Sequence, residues 1–383
     1  MLKNVMTYGY NDVCIQPCAI SIIDHRSECN VFKNDMLPIF TAPMSSVISE
    51  KNIDLFEENH IIPIIPRNVS LKNRMFFLEK GKWVAFSISE FEYFISGPFN
   101  FIQPAHILID VANGNMKKLF ELSKEAKKKF GKDKIILMAG NIANPESYLQ
   151  YCMAGIDYVR CGIGGGNGCV TSSNCAIHMG IVNLLTEINN IREGVHKTIN
   201  QHKALGNENI CKYTCETQVI ADGGIRNYSD VIKALALGAN YVMVGSVFSQ
   251  LVESCAKTFT YNKNDELVVL DPLADSIKIQ EQDGLFYIEE DGHTHIIDHI
   301  YKRFYGMASK RGQEDLFGHK KGTAEGIEKT LDCTTNISKW SENMKDYLAS
   351  AMSYCGLDDV KDFNPDNVDT YLMSPNLQNS INK

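Results

Sequence analysis

The stretch Val159 to Ser172, VRCGIGGGNGCVTS, sets glycines at 162, 164, 165, 166 and 168 ahead of Cys169 and follows that cysteine with Val-Thr. Glycine has nothing to pack and weakens any helix or strand it enters, so the run is there for backbone shape. Such a loop can turn its carbonyls toward a cation or its amides toward an anion. It also holds the Cys169 thiol off a strand end, where a nearby positive end or base stabilises thiolate. The flanking residues are too small and polar to make Cys169 core filler, so it is the candidate nucleophile. A second group lies at Asp222-Gly223-Gly224 and Gly245-Ser246, at loops that open onto helices. Gly223, Gly224 and Gly245 let backbone N–H groups approach an anion closely, with helix N-termini adding favourable charge. The plainer reading of these glycines is tight turns. Asp222 beside them is an acceptor suited to ribose hydroxyls, and together the group points to a nucleoside monophosphate.

These residues need elements to hold them. Eight short apolar runs read as strands: Leu37 to Ala42, Ile61 to Pro66, Trp83 to Ser89, His106 to Ala112, Ile135 to Asn141, Tyr158 to Gly164, Gln218 to Gly224 and Tyr241 to Ser246. Most recur at about the spacing that one strand, a helix of two to three turns and two loops require. Near-continuous apolar strands alternating with helices imply a parallel sheet covered outside, and eight such units close as a (β/α)8 or TIM barrel. A doubly wound open sheet is the alternative. Met116 to Gly131 has apolar residues at helical spacing and stops at a glycine, and YSDVIKALALGA ends near Gly238 in the same way. The spacing breaks twice, once in a long gap between the sixth and seventh strands. The second break is an insertion at about 252–304, where Asp283-Gly284 and Asp291-Gly292 predict β-hairpins. The expectation is one barrel domain over 1–383, with no second domain.

At such a rim, the polar ends of the strands matter most. They are Met44-Ser45, Arg67-Asn68, Ser89-Glu90, Asp110 with Asn113-Gly114, Gly140-Asn141, the glycine loop, Asp222-Gly223-Gly224 and Gly245-Ser246. With 383 residues, 44% of them hydrophobic and 22% charged, the chain has the composition of an ordinary globular protein, and its net charge of -8 argues against nucleic acid or an anionic membrane as partner. The N-terminal stretch has no apolar core or cleavage site and no run approaches the ~18 apolar residues of a membrane span, which predicts a cytoplasmic protein. Twelve scattered cysteines without a secretory signal are expected to be reduced thiols. The C-x3-C pairs Cys14/Cys18 and Cys211/Cys215 lack the usual zinc spacing.

Several segments in order resemble the IMP dehydrogenase/GMP reductase family: YNDVCIQP, HRSEC, LPIFTAPM, IDVANG, AGNIANPE, GIGGGNGCVT, ADGGIRNYSDVIKALALGANYVMVGS and YGMAS. The resemblance covers nearly the whole chain. It implies that Cys169 attacks C2 of a bound purine nucleotide, giving a covalent intermediate that exchanges hydride with a nicotinamide cofactor. It implies that Asp222 holds the ribose and that Gly223, Gly224, Gly245, Ser246 and Tyr305 hold the phosphate end. Met44, Gly306, Met307 and Glu325 would bind the rest of the substrate, with Met307 and Glu325 facing the base. Asp110, Ala112, Asn113, Gly140 and Asn141 would lie toward the cofactor, NADPH or NAD, and Thr171 near the reacting centre. Gly164, Gly166 and Cys169 would hold a monovalent cation, K+ in the dehydrogenases, and the chain would form a homotetramer.

Two branches then separate. The dehydrogenase oxidises IMP and hydrolyses its intermediate with an Arg-Tyr pair on a flap, whereas here KRGQEDLFGHKKGT between GMAS and AEGIE is short and has no Arg-Tyr. The regulatory insertion after the second strand, the CBS domain, is also missing. Both features favour GMP reductase, which converts GMP to IMP with NADPH. Lys310 stands where the resemblance leads one to expect the reductase's glutamate, Asn167-Gly168 departs from the usual loop, and Ala42 to Met44 and Arg67-Asn68 look more like the dehydrogenase. IMP dehydrogenase therefore remains the alternative. Behind it stand a nucleotide-binding homologue without turnover and an FMN-dependent oxidase, whose late His-bearing motif is not found.

Overall fold

The computed structural model describes residues 6–99, 102–166, 170–204, 216–262, 264–274, 276–282, 284–290, 292–320 and 322–381. All eight apolar runs form strands of one parallel sheet: β1 Ile39–Thr41, β2 Ile64–Ile65, β3 Trp83–Phe86, β4 Ala105–Asp110, β5 Ile135–Ile142, β6 Tyr158–Cys161, β7 Gln218–Asp222 and β8 Tyr241–Val244. Their order is β1-β8-β7-β6-β5-β4-β3-β2. The last seam is closed just before β2, where Thr41 N donates to Ile62 O and Ile62 N donates to Ile39 O, each at 2.9 Å. The result is a (β/α)8 barrel.

The strands read as unbroken apolar runs because both faces are covered. Their inward side chains fill the barrel with Phe40, Trp83, Leu108, Met138, Ile220 and Tyr241. Phe40 meets Trp83 edge-on at 5.7 Å and Trp83 meets Tyr158 edge-on at 5.4 Å, the arrangement that ring quadrupoles favour. The outward side chains pack under the helices. With the barrel interior filled, the strand ends are what remain for a site.

Most strands end a residue or two before the apolar pattern suggests, and two of them, β3 and β6, end three residues early. After β3, Ser87 caps the helix Ile88–Ser96, accepting from Glu90 N at 3.2 Å while Ser87 N donates to Glu90 Oε2 at 2.7 Å. Ser89 and Glu90 are therefore in the first helical turn rather than at the strand end, because a Ser-x-x-Glu box satisfies orphan amides that a longer strand would leave open. Glu90 then pairs with buried Arg74. β6 ends at Cys161 because Gly162 adopts φ 131°, and a Cβ there would come within 2.1 Å of Asp222 O. The long gap before β7 holds the helix Ile181–Ala204. Lys117–Phe130 is helical and ends at Gly131, with φ 92°.

The insertion forms two antiparallel sheets. β9 Lys257–Tyr261, β10 Leu267–Leu270, β14 Tyr301–Tyr305 and β15 Glu328–Asp332 pair in the order β10-β9-β14-β15, and β11 Ile277–Gln282, β12 Leu285–Glu290 and β13 His293–Ile297 form a meander. Gly284 and Gly292 hold φ 82° and 75° at the two hairpin turns, as the Asp-Gly pairs predict, while Asp283 and Asp291 lie outside the described residues. A small separate core of Val252, Leu270, Phe286, Ile288, Ile300 and Cys333 fixes the meander to the larger sheet. β14 runs straight into Gly306-Met307, so the insertion carries part of the barrel's rim. Among the described residues no helix is long and apolar enough to cross a membrane.

Candidate active site

A cavity of about 250 Å³ opens at the C-terminal ends of the strands. Met44, Ala112, Asn141, Gly164, Gly166, Thr171, Asp222, Gly223, Gly224, Gly245, Ser246, Gly306, Met307 and Glu325 all line it. These come from the ends of β1, β4, β5, β6, β7, β8 and β14, and the glycine loop packs on the β7 end: a Cβ on Gly223 would sit 3.2 Å from Gly166 N. Asp110, Asn113, Gly140 and Tyr305 stand off the cavity wall. Cys169 lies outside the described residues, between Gly166 and Val170, both of which are described.

The floor is organised by a residue to which the motifs give no role. Arg160 rises from β6, 8% exposed, and spans two carboxylates: Nη1 reaches Asp110 Oδ1 at 2.8 Å, while Nε and Nη2 reach Asp222 Oδ2 at 3.1 and 2.8 Å. Burial opposes its charge, yet Asp222 and Asp110 more than offset that and keep the guanidinium charged. Asn141 Nδ2 adds a 2.6 Å bond to Asp222 Oδ2 and a 2.9 Å bond to Gly162 O. Asp222 is thus held rigidly at the cavity wall. Arg67 from the β2 end lies 3.8 Å from Asp110 Oδ2. Its Nε and the adjacent Asn68 Oδ1 are buried without a hydrogen-bond partner among the described residues.

On the opposite wall Thr171, the first residue of the helix Thr171–Cys175, donates from Oγ1 to Glu325 Oε2 at 3.0 Å. Val170 N donates to Glu325 O at 2.9 Å, and Glu325 N donates to Ala308 O at 3.1 Å. These bonds tie the cysteine loop to the segment after β14. Lys310 is exposed at the start of the helix Lys310–Phe317. The carboxylate that meets Thr171 is Glu325, so Lys310 removes no acid from this pair. One turn further along, Asp315 accepts at Oδ2 from Tyr305 Oη at 2.6 Å and from Ser45 Oγ at 3.0 Å, closing the helix over the β1 loop. Sequence reasoning missed Arg160. An arginine in the apolar strand YVRC was the signal, since a charge inside a barrel has to be paired.

Fold and cavity together define a (β/α)8 barrel whose pocket sits where barrel enzymes do their chemistry. Residues 104–267 match the family model described as IMP dehydrogenase / GMP reductase domain. A protein named GMP reductase from Staphylococcus epidermidis RP62A is 27% identical over 371 residues, covering 92% of this chain and 93% of its own. Those of Staphylococcus saprophyticus ATCC 15305 and Staphylococcus aureus MRSA252 are each 26% identical, covering 92% of this chain and 92% and 93% of theirs. The resemblance read from the motifs holds on both counts, and the relatives named are reductases.

Proposed function

We propose that this chain is a purine nucleotide oxidoreductase working in the reductase direction, in which GMP, NADPH and two protons give IMP, NADP+ and ammonium. The observation that carries this reading is the Thr171–Glu325 pair, which lines the cavity two residues beyond Cys169. In this scheme the Cys169 thiolate bonds to purine C2, and the C2 amino group leaves as ammonia with a proton relayed from Glu325 through Thr171. Hydride then reaches C2 and the thiolate departs, leaving IMP. Asp222, fixed by Arg160 and Asn141, would accept from the ribose hydroxyls. The amides of Gly223, Gly224, Gly245 and Ser246 would face the phosphate. Met307 would lie along the base.

Bound NADPH would supply the hydride. The buried Arg67 Nε and Asn68 Oδ1, unpartnered among the described residues and beside Asp110, fit a polar cofactor group at the β2–β4 side of the rim. A monovalent cation near Gly164, Gly166 and Cys169, a cytoplasmic location, a homotetramer and a single barrel domain over 1–383 belong to the same proposal. The reductase direction is favoured because the short helix Lys310–Phe317 is latched down through Asp315 where a dehydrogenase needs an Arg-Tyr flap for water. The test is absorbance at 340 nm with GMP plus NADPH, and separately with IMP plus NAD+ and potassium, each beside Cys169→Ala. A fall in the first, absent from the variant, is expected. A rise in the second would make the protein a dehydrogenase, and silence in both would overturn the reading.

A further inference from the structure

The closed end of the barrel carries a second cleft, of about 210 Å³, between the helix Ile181–Ala204, the turn leading into β8 and the C-terminal segment around Phe363. Lys33, Arg192, Lys361 and His196 line it. Lys33 precedes β1 in a tight turn in which Asn34 and Asp35 hold φ 51° and 63°. Its Nζ donates to Asn240 O at 2.9 Å and lies 5.2 Å from the Tyr241 ring centre. Arg192 Nη1 reaches Gly238 O and Asn189 Oδ1, each at 3.3 Å. Both cations are half-buried, and among the described residues neither has a carboxylate within 4 Å. Among the described residues the carboxylate near Lys361 is Asp359, at 3.9 Å. Of the two carboxylates on the cleft wall, Glu193 is drawn to Lys197 at 3.3 Å and Asp366 is exposed. Capping of the carbonyls after the helix Tyr228–Ala236 accounts for Nη1 of Arg192, and among the described residues its Nε and Nη2 have no hydrogen-bond partner.

We propose that this cleft binds a small phosphate-bearing metabolite, its oxyanion held by Lys33, Arg192 and Lys361 and its remainder lying along the segment at Pro365. The site is remote from the catalytic rim, because Gly238 to Asn240 precede β8 whereas the rim follows it. An energetic sign supports it. Burial pushes the Lys33 amine down to about 8, Asp359 resists this, and Arg192 and Lys361 push it further, so the cleft by itself disfavours the charge that an anion would favour.

The experiment uses the full chain and inorganic phosphate, measured by calorimetry, with sulfate as a second probe whose charge stays constant with pH. Saturable phosphate binding is expected, weakened at least tenfold by Lys33→Met and by Arg192→Gln, with nucleotide turnover at the rim unchanged. Sulfate affinity should fall above pH 8 in the parent chain and stay flat over that range in Lys33→Met. The other charged and titratable groups facing Lys33 are Arg192, Lys361, Asp359, His196, Glu193 and Asp366, and because Lys33→Met keeps them all, the difference between the two chains reports Lys33. An isotherm that both variants leave untouched, or no saturation at 10 mM phosphate, overturns the proposal.

Discussion

Arg160 is the residue on which the floor of the site depends. Its guanidinium is the shared partner of Asp110 and Asp222, which are separated from it by 50 and 62 positions in the chain. Removing it leaves two partly buried carboxylates facing each other, and breaking such a pair costs about 3–5 kcal/mol. Arg160→Met is therefore expected to lower unfolding stability by that order in urea titration. Arg160→Lys should recover part of the stability but not the fork that spans both acids; equal stability of Arg160→Met and the parent would show that the bridge is not structural. At the opposite wall, Thr171→Val and Glu325→Gln should each lower kcat by about 10²-fold with KM within a few-fold, the usual size of a general acid's contribution. A change in KM alone would mean that the pair only shapes the pocket. Asp222 and the glycines were legible in the sequence because glycine answers to backbone shape. Arg160 was not, because a charge in an apolar strand announces a need for partners without naming them.

The strands were legible as elements because a barrel covers both their faces and leaves unbroken apolar runs. Their ends were less so. Ser87 to Glu90 begins a helix through a capping box, and Gly162 turns because Asp222 O lies across from it, a contact 60 residues away in sequence that no local pattern contains. The helix Lys310–Phe317 shows the same limit: its sequence lacks the Arg-Tyr of a flap but does not say what the segment does instead, which is that Asp315 takes both the Tyr305 and the Ser45 hydroxyls and latches it against the β1 loop. Hydrogen bonds to a carboxylate contribute about 1.5–3 kcal/mol, enough to decide whether an eight-residue helix stays docked. Asp315→Asn should loosen that helix, raising the KM for the nucleotide about tenfold with kcat less affected. Proteolysis within 310–328 should speed up in the variant. Unchanged KM and unchanged cleavage would mean that the wall of the cavity stands without the latch.

At the scale of the whole molecule, a barrel core and a smaller insertion core meet over Lys302, whose side chain is fully buried on β14. Its Nζ donates to Val252 O at 2.7 Å and to Thr258 Oγ1 at 2.8 Å, joining the chain just after β8 to the start of the insertion sheet. Burial pushes this amine down to about 8, against the pull of Cys333, Glu253, Cys255 and Asp271. The unfolded chain keeps the proton up to about pH 10.4. Below pH 8 both states are charged and the fold bears the full desolvation cost. From pH 8 to about 10 the folded amine is neutral while the unfolded one is not, so this group's contribution to stability rises with pH, by up to about 1.4 kcal/mol per unit. Buried Cys333, pushed up to about 11 mainly by burial, runs the other way, since the unfolded thiol ionises first. Comparing variants isolates the lysine. Lys302→Met removes its ionisation but leaves Val252 O and Thr258 Oγ1 without their donor, a cost that does not depend on pH. The stability of Lys302→Met relative to the parent, measured by denaturant titration at pH 7, 8, 9 and 10, is expected to be most favourable at pH 7 to 8 and to decline steadily above that. Parallel curves across the range would mean that the lysine joining insertion to barrel keeps its ordinary protonation, and that the junction is wetter than the packing around it implies.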